Sequence, residues 1–190
     1  MATAVSICSN ALLMLGAKPI NALDEKTEHA RLCSNLYQSV RDDLLRAHPW
    51  NCATKRDILA PLVDAPKFDF GYQFELPGDW LRTLQVGEKR QPLSYRSEGR
   101  CILASVTVLP IVYIFRNDVE QSWSTNLVEL AELQMAAKMA YAVTKSSSIR
   151  DSFRDEFVRA FKVAKAVDGQ DDPPEEFAEG SLLESRFTTR

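Results

Sequence analysis

The chain has 190 residues, of which 45% are hydrophobic and 26% charged, as is typical of one globular domain or of one domain with an insertion. Its formal net charge of −3 excludes the surplus of lysine and arginine that drives general binding to nucleic acid. No apolar run approaches the length of a membrane span and no basic segment precedes the first helix. We therefore expect a protein made in a cytoplasm, without a signal peptide and without membrane contact.

Two amphipathic helices are predicted in the first quarter of the chain. The first covers 4–15 and ends at Gly16, with apolar residues at helical spacing along one side. The second covers 25–47, with Asp24 as its N-cap and Pro49 as its end, because a residue before proline is driven out of the α region. The apolar stripe of the second helix is Ala30, Cys33, Leu36, Tyr37, Val40 and Leu44.

After residue 50 the hydrophobic period shortens toward two, which indicates strands. Extended segments are predicted at 58–63 and 68–76. The strand of FELPGDWLRTLQV breaks at Pro77-Gly78 and re-forms around Trp80, and Pro77 fits the first position of a short helical turn. Farther along, the Ser97-Glu98-Gly99 segment predicts a hairpin. The β-prone run 106–115 contains Pro110, which indicates an edge strand or a bulge.

Helix is predicted again from about Thr125, with an interruption at the serines 146–148. Ser148 and Asp151 resemble a capping box that starts the last helix. The stripe of the first of these helices is Leu127, Leu130, Ala131, Gln134, Ala137 and Tyr141. The apolar ridge of the second is Ile149, Phe153, Phe157, Phe161 and Ala164.

The composition changes once more after Val167. The segment DGQDDPPEE is acidic, contains two prolines and cannot bury itself, yet apolar residues return near the C-terminus. Such a tail docks either on a partner subunit or back on its own domain, and the sequence leaves both possibilities open.

These elements predict an α+β protein: a bundle of about four helices with a small β insertion domain and an extended C-terminal tail. The predicted boundaries are 1–49 and 121–167 for the two parts of the helical bundle, 50–120 for the β-rich insertion and 168–190 for the docking tail.

No residue is predicted to be catalytic or to bind a metal, and no cofactor is expected. The two histidines, His29 and His48, lie 19 residues apart on one helix, and no nucleophile elbow, phosphate loop or zinc motif occurs. The four cysteines form no C-x-x-C pair and are expected to be small buried hydrophobes.

Two alternative functions remain open. A cell-wall-degrading enzyme would act through a Glu/Asp pair, and paired carboxylates occur at Asp42-Asp43, Asp171-Asp172 and Glu175-Glu176. A small nucleic-acid-binding module would combine aromatic residues with the basic residues of the β region. Those basic residues are Lys55, Arg56, Arg82, Lys89, Arg90, Arg96 and Arg100.

Four residues are predicted to be structural anchors of the β insertion: Trp50, Pro77, Asp79 and Trp80. Both tryptophans lie at junctions between helical and extended segments, so we expect their rings to pack at the base of the insertion and to fix its angle to the bundle.

The order of these features resembles the tail tubular protein A family, the head-to-tail adaptors of short-tailed bacteriophages. SICSNALLMLGAKPINALDE is similar to the family's opening helix with its Pro-Ile or Pro-Val turn. ARLCSNLYQSVRDDLLRAHPWNCATKR resembles its second helix, which ends in a tryptophan. YQFELPGDWLRTLQV is similar to its tyrosine–apolar–Pro–small–Asp–bulky–Leu element, and EGSLLESR to its terminal Leu-Leu-Ser-Arg signature.

The resemblance implies a structural protein of the virion tail, made in the host cytoplasm. It implies a ring, as a dodecamer, between the portal protein and the tail nozzle protein, with a central channel through which genomic DNA passes without sequence-specific binding. It also implies that the helical bundle forms the ring wall and that the C-terminal tail reaches the portal. On that basis the portal-docking residues are Phe177, Leu182, Leu183, Arg186, Phe187 and Arg190.

Overall fold

A computed structural model describes residues 1–88 and 93–171. Within them, four α-helices and two three-stranded antiparallel sheets confirm the predicted α+β class. The helices are α1 (Ala4–Met14), α2 (Glu28–Ala47), α3 (Thr125–Thr144) and α4 (Ser147–Gln170). The strands are β1 (Thr54–Leu59), β2 (Tyr72–Glu75), β3 (Trp80–Val86), β4 (Tyr95–Glu98), β5 (Cys101–Ala104) and β6 (Leu109–Phe115). None of the described helices is long and apolar enough to cross a membrane.

The start of α2 differs from the prediction. Thr27, not Asp24, is the N-cap, and its side chain accepts the N–H of Ala30 at 3.2 Å. Glu25 lies before the helix, where its carboxylate accepts the N–H groups of Asn21 and Ala22 at 2.7 and 3.2 Å. These bonds stabilise the turn that precedes the helix, so the helical conformation begins three residues later than predicted.

The apolar stripe of α2 is buried as predicted, apart from the half-buried Leu36. Tyr37 belongs to this stripe, and its hydroxyl donates a hydrogen bond to Glu120 Oε1 at 2.7 Å. Burial, followed by the Glu120 carboxylate, raises the pKa of Tyr37 well above its usual value. The phenol therefore stays protonated in the folded protein at a pH where an unfolded tyrosine has ionised.

This shift predicts a loss of stability in alkali. An unfolded tyrosine ionises near pH ~10, so the stabilisation from Tyr37 is complete below that pH and is lost as the pH rises. The free energy of unfolding should fall by about 1.4 kcal/mol per pH unit from this residue. Urea unfolding of wild type and Tyr37→Phe at about pH 9 and about pH 11 measures the effect. Equal pH dependence of the two proteins would contradict it.

The central helix of the bundle is α3, which packs against α1, α2 and α4. Because neighbours surround it, its buried residues extend well beyond the predicted stripe and include Leu133, Met135, Ala136, Met139 and Ala140. Tyr141, predicted to face the core, is 58% exposed. A single apolar stripe is typical of a helix that buries only one side, whereas α3 is covered by three helices.

The connection from α3 to α4 is shorter than predicted. Lys145 adopts the left-handed conformation with a φ of 57°, and Ser146 caps α4 by accepting the N–H of Ile149 at 3.4 Å. The predicted start at Ser148 is therefore two residues late. Along α4, Phe153, Phe157 and Phe161 are half-buried against the bundle, and Ala164 is fully buried. The helix continues to Gln170, three residues past the predicted boundary.

The first sheet has the strand order β1-β6-β3, so β6 is its central strand and the assignment of Pro110 to an edge strand is wrong. Proline is tolerated here because it stands near the beginning of β6. Its carbonyl accepts the N–H of Gly87 at 2.8 Å, just beyond the last β3–β6 pair, Val86 and Ile111. Because the N–H and C=O of one strand residue point to the same side, the N–H that Pro110 lacks would also face β3, at the point where the β3–β6 pairing ends. The alternative prediction, a bulge at Pro110, is also wrong, because Pro110 pairs with Ile58 in regular register. The register shifts lie in β3, between Trp80 and Arg82 and between Thr83 and Gln85.

The second sheet has the order β2-β5-β4. Its β4–β5 hairpin confirms the predicted one, with Gly99 and Arg100 as the two-residue loop and a φ of 59° at Gly99. The strand predicted at 58–63 is displaced, because β1 begins at Thr54 and ends at Leu59. The segment predicted at 68–76 is shortened to β2, and residues 60–71 form a loop. The turn at Pro77 is not helical: the N–H of Trp80 donates to the Pro77 carbonyl at 3.1 Å, and β3 begins at Trp80.

The first sheet lies between the helical bundle and the second sheet. Along β6, Leu109, Ile111 and Tyr113 belong to the core between the two sheets, whereas Ile114 belongs to the core of the bundle. This division follows from the alternation of side chains along a strand. The β region is therefore attached to the bundle by apolar packing as well as by the chain.

Candidate assembly surfaces

Asp42, Asp43 and His48 each form an ion pair or a close contact with an oppositely charged or acidic neighbour. Asp42 contacts Arg41 and Arg116, each at 2.9 Å, and its neighbour Asp43 contacts Lys138 at 3.2 Å. His48 contacts Asp168 at 3.4 Å. No group of three His, Cys, Asp or Glu side chains within residues 1–88 and 93–171 could hold a metal ion. The arrangement of these groups in the described residues suits packing and orientation of elements.

Trp50 is fully buried in the core of the bundle. Its Nε1 donates to the Leu44 carbonyl at 2.9 Å, and its ring lies edge-to-face with Phe161 of α4 at 5.9 Å between centroids. Because Trp50 directly precedes the turn into β1, its ring joins the end of α2, the start of the sheet and α4.

The other three predicted anchors meet at one corner of the sheets. Asp79 accepts hydrogen bonds from the Tyr113 hydroxyl and Lys55 Nζ, both at 3.1 Å. The Pro77 carbonyl accepts a hydrogen bond from Arg100 Nη2 at 2.6 Å. Trp80 is half-buried against the core between the sheets, and its Nε1 donates to Thr83. The structure thus places Pro77, Asp79 and Trp80 together, and Trp50 apart from them.

Removal of the Asp79 carboxylate should destabilise the fold. Tyr113 is fully buried, and its hydroxyl would lose its acceptor, so Asp79→Ala should cost about 1–2 kcal/mol in the free energy of unfolding. Asp79→Asn, which keeps an acceptor oxygen, should cost less. Urea denaturation of the three proteins measures this, and an Asp79→Ala protein as stable as wild type would show that the hydrogen bond contributes nothing.

The junction between bundle and sheet depends on residues that sequence reasoning missed. Arg46 Nη1 donates to the Leu81 carbonyl at 2.6 Å, and Arg82 Nη1 donates to the Arg46 carbonyl at 3.0 Å. Asn117 is only 4% exposed, and its Nδ2 donates to the Cys52 carbonyl at 2.7 Å. These are long-range bonds to backbone carbonyls, and no local pattern in the sequence indicates such partners.

The end of α4 is held by the corner that follows α2. Asn51 Nδ2 donates to the Asp168 carbonyl at 2.8 Å, and the Asn51 N–H points to the Asp168 carboxylate at 3.3 Å. Burial lowers the pKa of His48, and the nearby Asp168 opposes that shift. Asp168 was predicted to begin the docking tail, but it lies within α4 and contacts His48 and Asn51.

Two helices of the bundle, α1 and α4, expose apolar side chains. On α1, Leu13 and Met14 are 55% and 42% exposed; we call this pair the α1 surface. On α4, Val163 and Val167 are 61% and 38% exposed, and they form the α4 surface. Asn10 of α1 bonds to Glu132 of α3, whereas α4 packs beside Gln134 and Ala137 of α3. Residues 132 and 134 point about 200° apart on a helix, so α1 and α4, which carry the two surfaces, pack on opposite sides of the central helix α3.

The loop over residues 60–71 exposes a third apolar set. Val63 and Phe68 are 103% and 77% exposed, and Ile58 at the adjoining end of the edge strand β1 is 68% exposed. The Leu62 N–H donates a hydrogen bond to the Gln73 carbonyl at 2.8 Å and so attaches the loop to β2. This segment, which we call the apolar loop, connects β1 of the first sheet to β2 of the second.

Two grooves are lined by described residues. One of about 1010 Å³ lies along the first sheet, between the corner at Pro49 and the outer ends of β1, β3 and β6, and is lined by both Arg56 and Asp57. The second, of about 550 Å³, runs between α3 and α4, and we call it the helical groove. Its lining residues are Gln134, Ala137, Lys138, Arg150, Arg154, Phe157 and Val158.

The residues predicted to dock on a portal all lie outside the described residues. They are Phe177, Leu182, Leu183, Arg186, Phe187 and Arg190. The four cysteines, in contrast, are described and carry free thiols, with Cys8 and Cys33 buried on α1 and α2.

Comparison with known proteins adds no further information on function. No model of a known protein family matches the sequence, and a search of curated proteins finds no significant match. The functional argument therefore rests on the sequence resemblance and on the surfaces described above.

Proposed function

We propose that this chain is a structural head-to-tail connector of a bacteriophage virion. Copies of it form a ring between the portal protein and the tail nozzle, and DNA passes through the central channel. The observation that carries the proposal is the presence of exposed apolar residues on helices that pack on opposite sides of α3, Leu13 and Met14 on α1 and Val163 and Val167 on α4. The bundle core is complete without them, so these side chains remain for contact with other molecules.

Two different surfaces on one subunit suit a heterologous interface. Contact between the α1 surface of one copy and the α4 surface of the next leaves a free surface at each end, and such contacts close into a ring when the rotation permits. Each contact is small, so single pairs are weak. A portal that holds many copies at once supplies the effective concentration that closes the ring.

The apolar loop suits contact with the next tail component. With the bundle as the ring wall, the β region projects from the wall and carries Val63 and Phe68 at an exposed position. This assigns different surfaces to the two kinds of contact, the bundle sides to neighbouring subunits and the apolar loop to the nozzle.

The charge of the chain suits a DNA channel. Binding to DNA requires cations that neutralise phosphates, and the net charge here is −3. The Lys55 ammonium already pairs with Asp79, and Arg116 with Asp42. A channel lined by such subunits allows DNA to pass without holding it.

The C-terminal tail is the proposed portal anchor, with Phe177, Leu182, Leu183 and Phe187 as apolar contacts and Arg186 and Arg190 as cations for acidic portal groups. Helix α4 extends to Gln170, with Asp171 as its C-cap. A truncation that tests the anchor should therefore end after Asp171, because a cut after Val167 would also remove the Asp168 contacts with His48 and Asn51.

Sedimentation velocity tests the proposal. The chain alone should sediment mainly as a monomer, and its mixture with a portal ring should give one larger species that contains both proteins. Absence of any complex over a range of salt concentrations would contradict the proposal. A cell-wall lysis assay on the same sample tests the alternative, since an enzyme would clear a peptidoglycan suspension without the portal.

A further inference from the structure

We infer that the helical groove between α3 and α4 binds the C-terminal segment of its own chain, residues 172–190, in the free subunit. The docking itself is independent of the proposed function. Its consequence, that a portal must displace the tail from the groove before the tail can anchor on the portal, rests on that function.

The groove combines an apolar floor with a basic rim. Ala137 of α3 and the half-buried Phe157 of α4 line the floor, and Val158 at its edge is 53% exposed. Lys138, Arg150 and Arg154 form the rim. An apolar floor between cationic side chains favours a segment that carries both apolar residues and carboxylates.

The positive charge of the rim is only partly neutralised. Lys138 contacts Asp43 at 3.2 Å and Arg150 contacts Asp151 at 2.9 Å. Arg154 forms no ion pair with any acidic residue in the described part of the chain. The groove therefore offers cations to an anionic occupant.

The C-terminal segment has the complementary chemistry. Residues 172–190 contain five acidic and two basic residues, a net charge of −3, which equals the net charge of the whole chain. Within it, Leu182 and Leu183 stand between Glu179 and Glu184. A leucine pair flanked by carboxylates matches a floor of Ala137 and Phe157 flanked by cations.

The segment is also long enough to reach the groove of its own chain. From Gln170, α4 runs back about 20 Å to Phe157 and about 30 Å to Arg150, at about 1.5 Å per residue. An extended chain covers about 3.3 Å per residue, so Glu179 lies up to about 30 Å and Leu183 up to about 43 Å from Gln170. The contact of Asp168 with Asn51 holds the end of α4 against the corner that follows α2. Residues beyond Glu179 can therefore turn back along α4 and lie in the groove.

Hydrogen–deuterium exchange of the full-length protein tests this inference. The amides of residues 178–190 should exchange at least fivefold more slowly in the protein than in a synthetic peptide of residues 172–190. The double variant Arg150→Glu/Arg154→Glu should bring the exchange up to the rate of the peptide. The control is Arg159→Glu/Lys162→Glu, which makes the same charge change on exposed residues of α4 that do not line the groove; it should leave the exchange slow.

A variant on the tail keeps the test decisive if the charge reversals in α4 disturb the helix. Glu179→Gln/Glu184→Gln leaves the folded body unchanged and should also release the tail. Exchange at the rate of the peptide in the wild-type protein would overturn the inference, as would equal release by the control variant. Slow exchange that disappears on dilution would also overturn it, because it would show that the groove of a second copy is the binding site. Failure of portal binding in the sedimentation experiment would leave these measurements unaffected.

Discussion

Replacement of Trp50 by alanine should lower the free energy of unfolding by about 3–5 kcal/mol, the usual cost of removing a large buried aromatic ring. The ring is 0% exposed, lies edge-to-face with Phe161 and donates from Nε1 to the Leu44 carbonyl at 2.9 Å. The alanine variant therefore creates a cavity where α2, α4 and the start of β1 meet, and it leaves a buried carbonyl without its donor. Urea unfolding followed by circular dichroism measures the loss.

Two further variants separate the contribution of ring packing from that of the Nε1 hydrogen bond, and the role of Trp50 from that of Trp80. Trp50→Phe keeps most of the packing but loses the Nε1 hydrogen bond, so its cost should lie well below that of alanine. Trp80→Ala should cost only about 1–3 kcal/mol, because Trp80 is half-buried and its Nε1 bonds to the Thr83 side chain. A Trp50→Ala protein with an unchanged denaturation midpoint would show that the ring does not hold the three elements together.

Leu13→Asp and Val163→Asp should each abolish ring formation on the portal while leaving the subunit folded. Both positions are more than half exposed, so the free energy of unfolding should change by about 0.5 kcal/mol or less. Each variant places a carboxylate in one of the two surfaces that meet in every subunit contact of the proposed ring. An uncompensated charge at each contact would repeat around the ring, so the effect on assembly should far exceed the effect on stability.

The matched control is Val108→Asp, since Val108 is 56% exposed in the loop between β5 and β6 and belongs to neither bundle surface. It should assemble as wild type does. Sedimentation with the portal distinguishes these outcomes. Normal rings from Leu13→Asp or Val163→Asp would show that subunits do not meet through the sides of the bundle, and equal loss in all three variants would show a non-specific effect.

Much of the fold could be predicted from the sequence because its signals are local. The 3.6-residue period identified α2, and Gly16 and Pro49 marked the ends of α1 and α2. The Ser97-Glu98-Gly99 signal located the β4–β5 hairpin. These features depend on neighbours within a few residues of one another in the chain.

The errors occurred where distant neighbours decide the structure. Pro110 predicted an edge strand or a bulge, but β6 is central because β1 and β3, each from another part of the chain, pair with it on both sides. The stripe of α3 was incomplete because three helices cover it. Ser148 with Asp151 predicted the start of α4, but Ser146 is its cap, because the left-handed Lys145 ends α3 and has no signal in the sequence.

The surfaces were predictable only in general terms. A subunit that assembles needs apolar residues beyond its own core, but the sequence does not show which apolar residues those are. Val163 lies on the same helix as Phe157 and Phe161. Only the packing of that helix shows that Val163 faces outward while the two phenylalanines face the bundle. The helical groove likewise depends on the pairing of α3 with α4, which brings Lys138 beside Arg154.

Electron microscopy of a mixture of this chain with purified portal rings tests the central claim most directly. The account predicts a closed ring of this subunit at one end of the portal, with an open central channel and with the α1 side of each bundle against the α4 side of the next. Portals without added density, scattered single copies, or a contact through other faces of the bundle would contradict it.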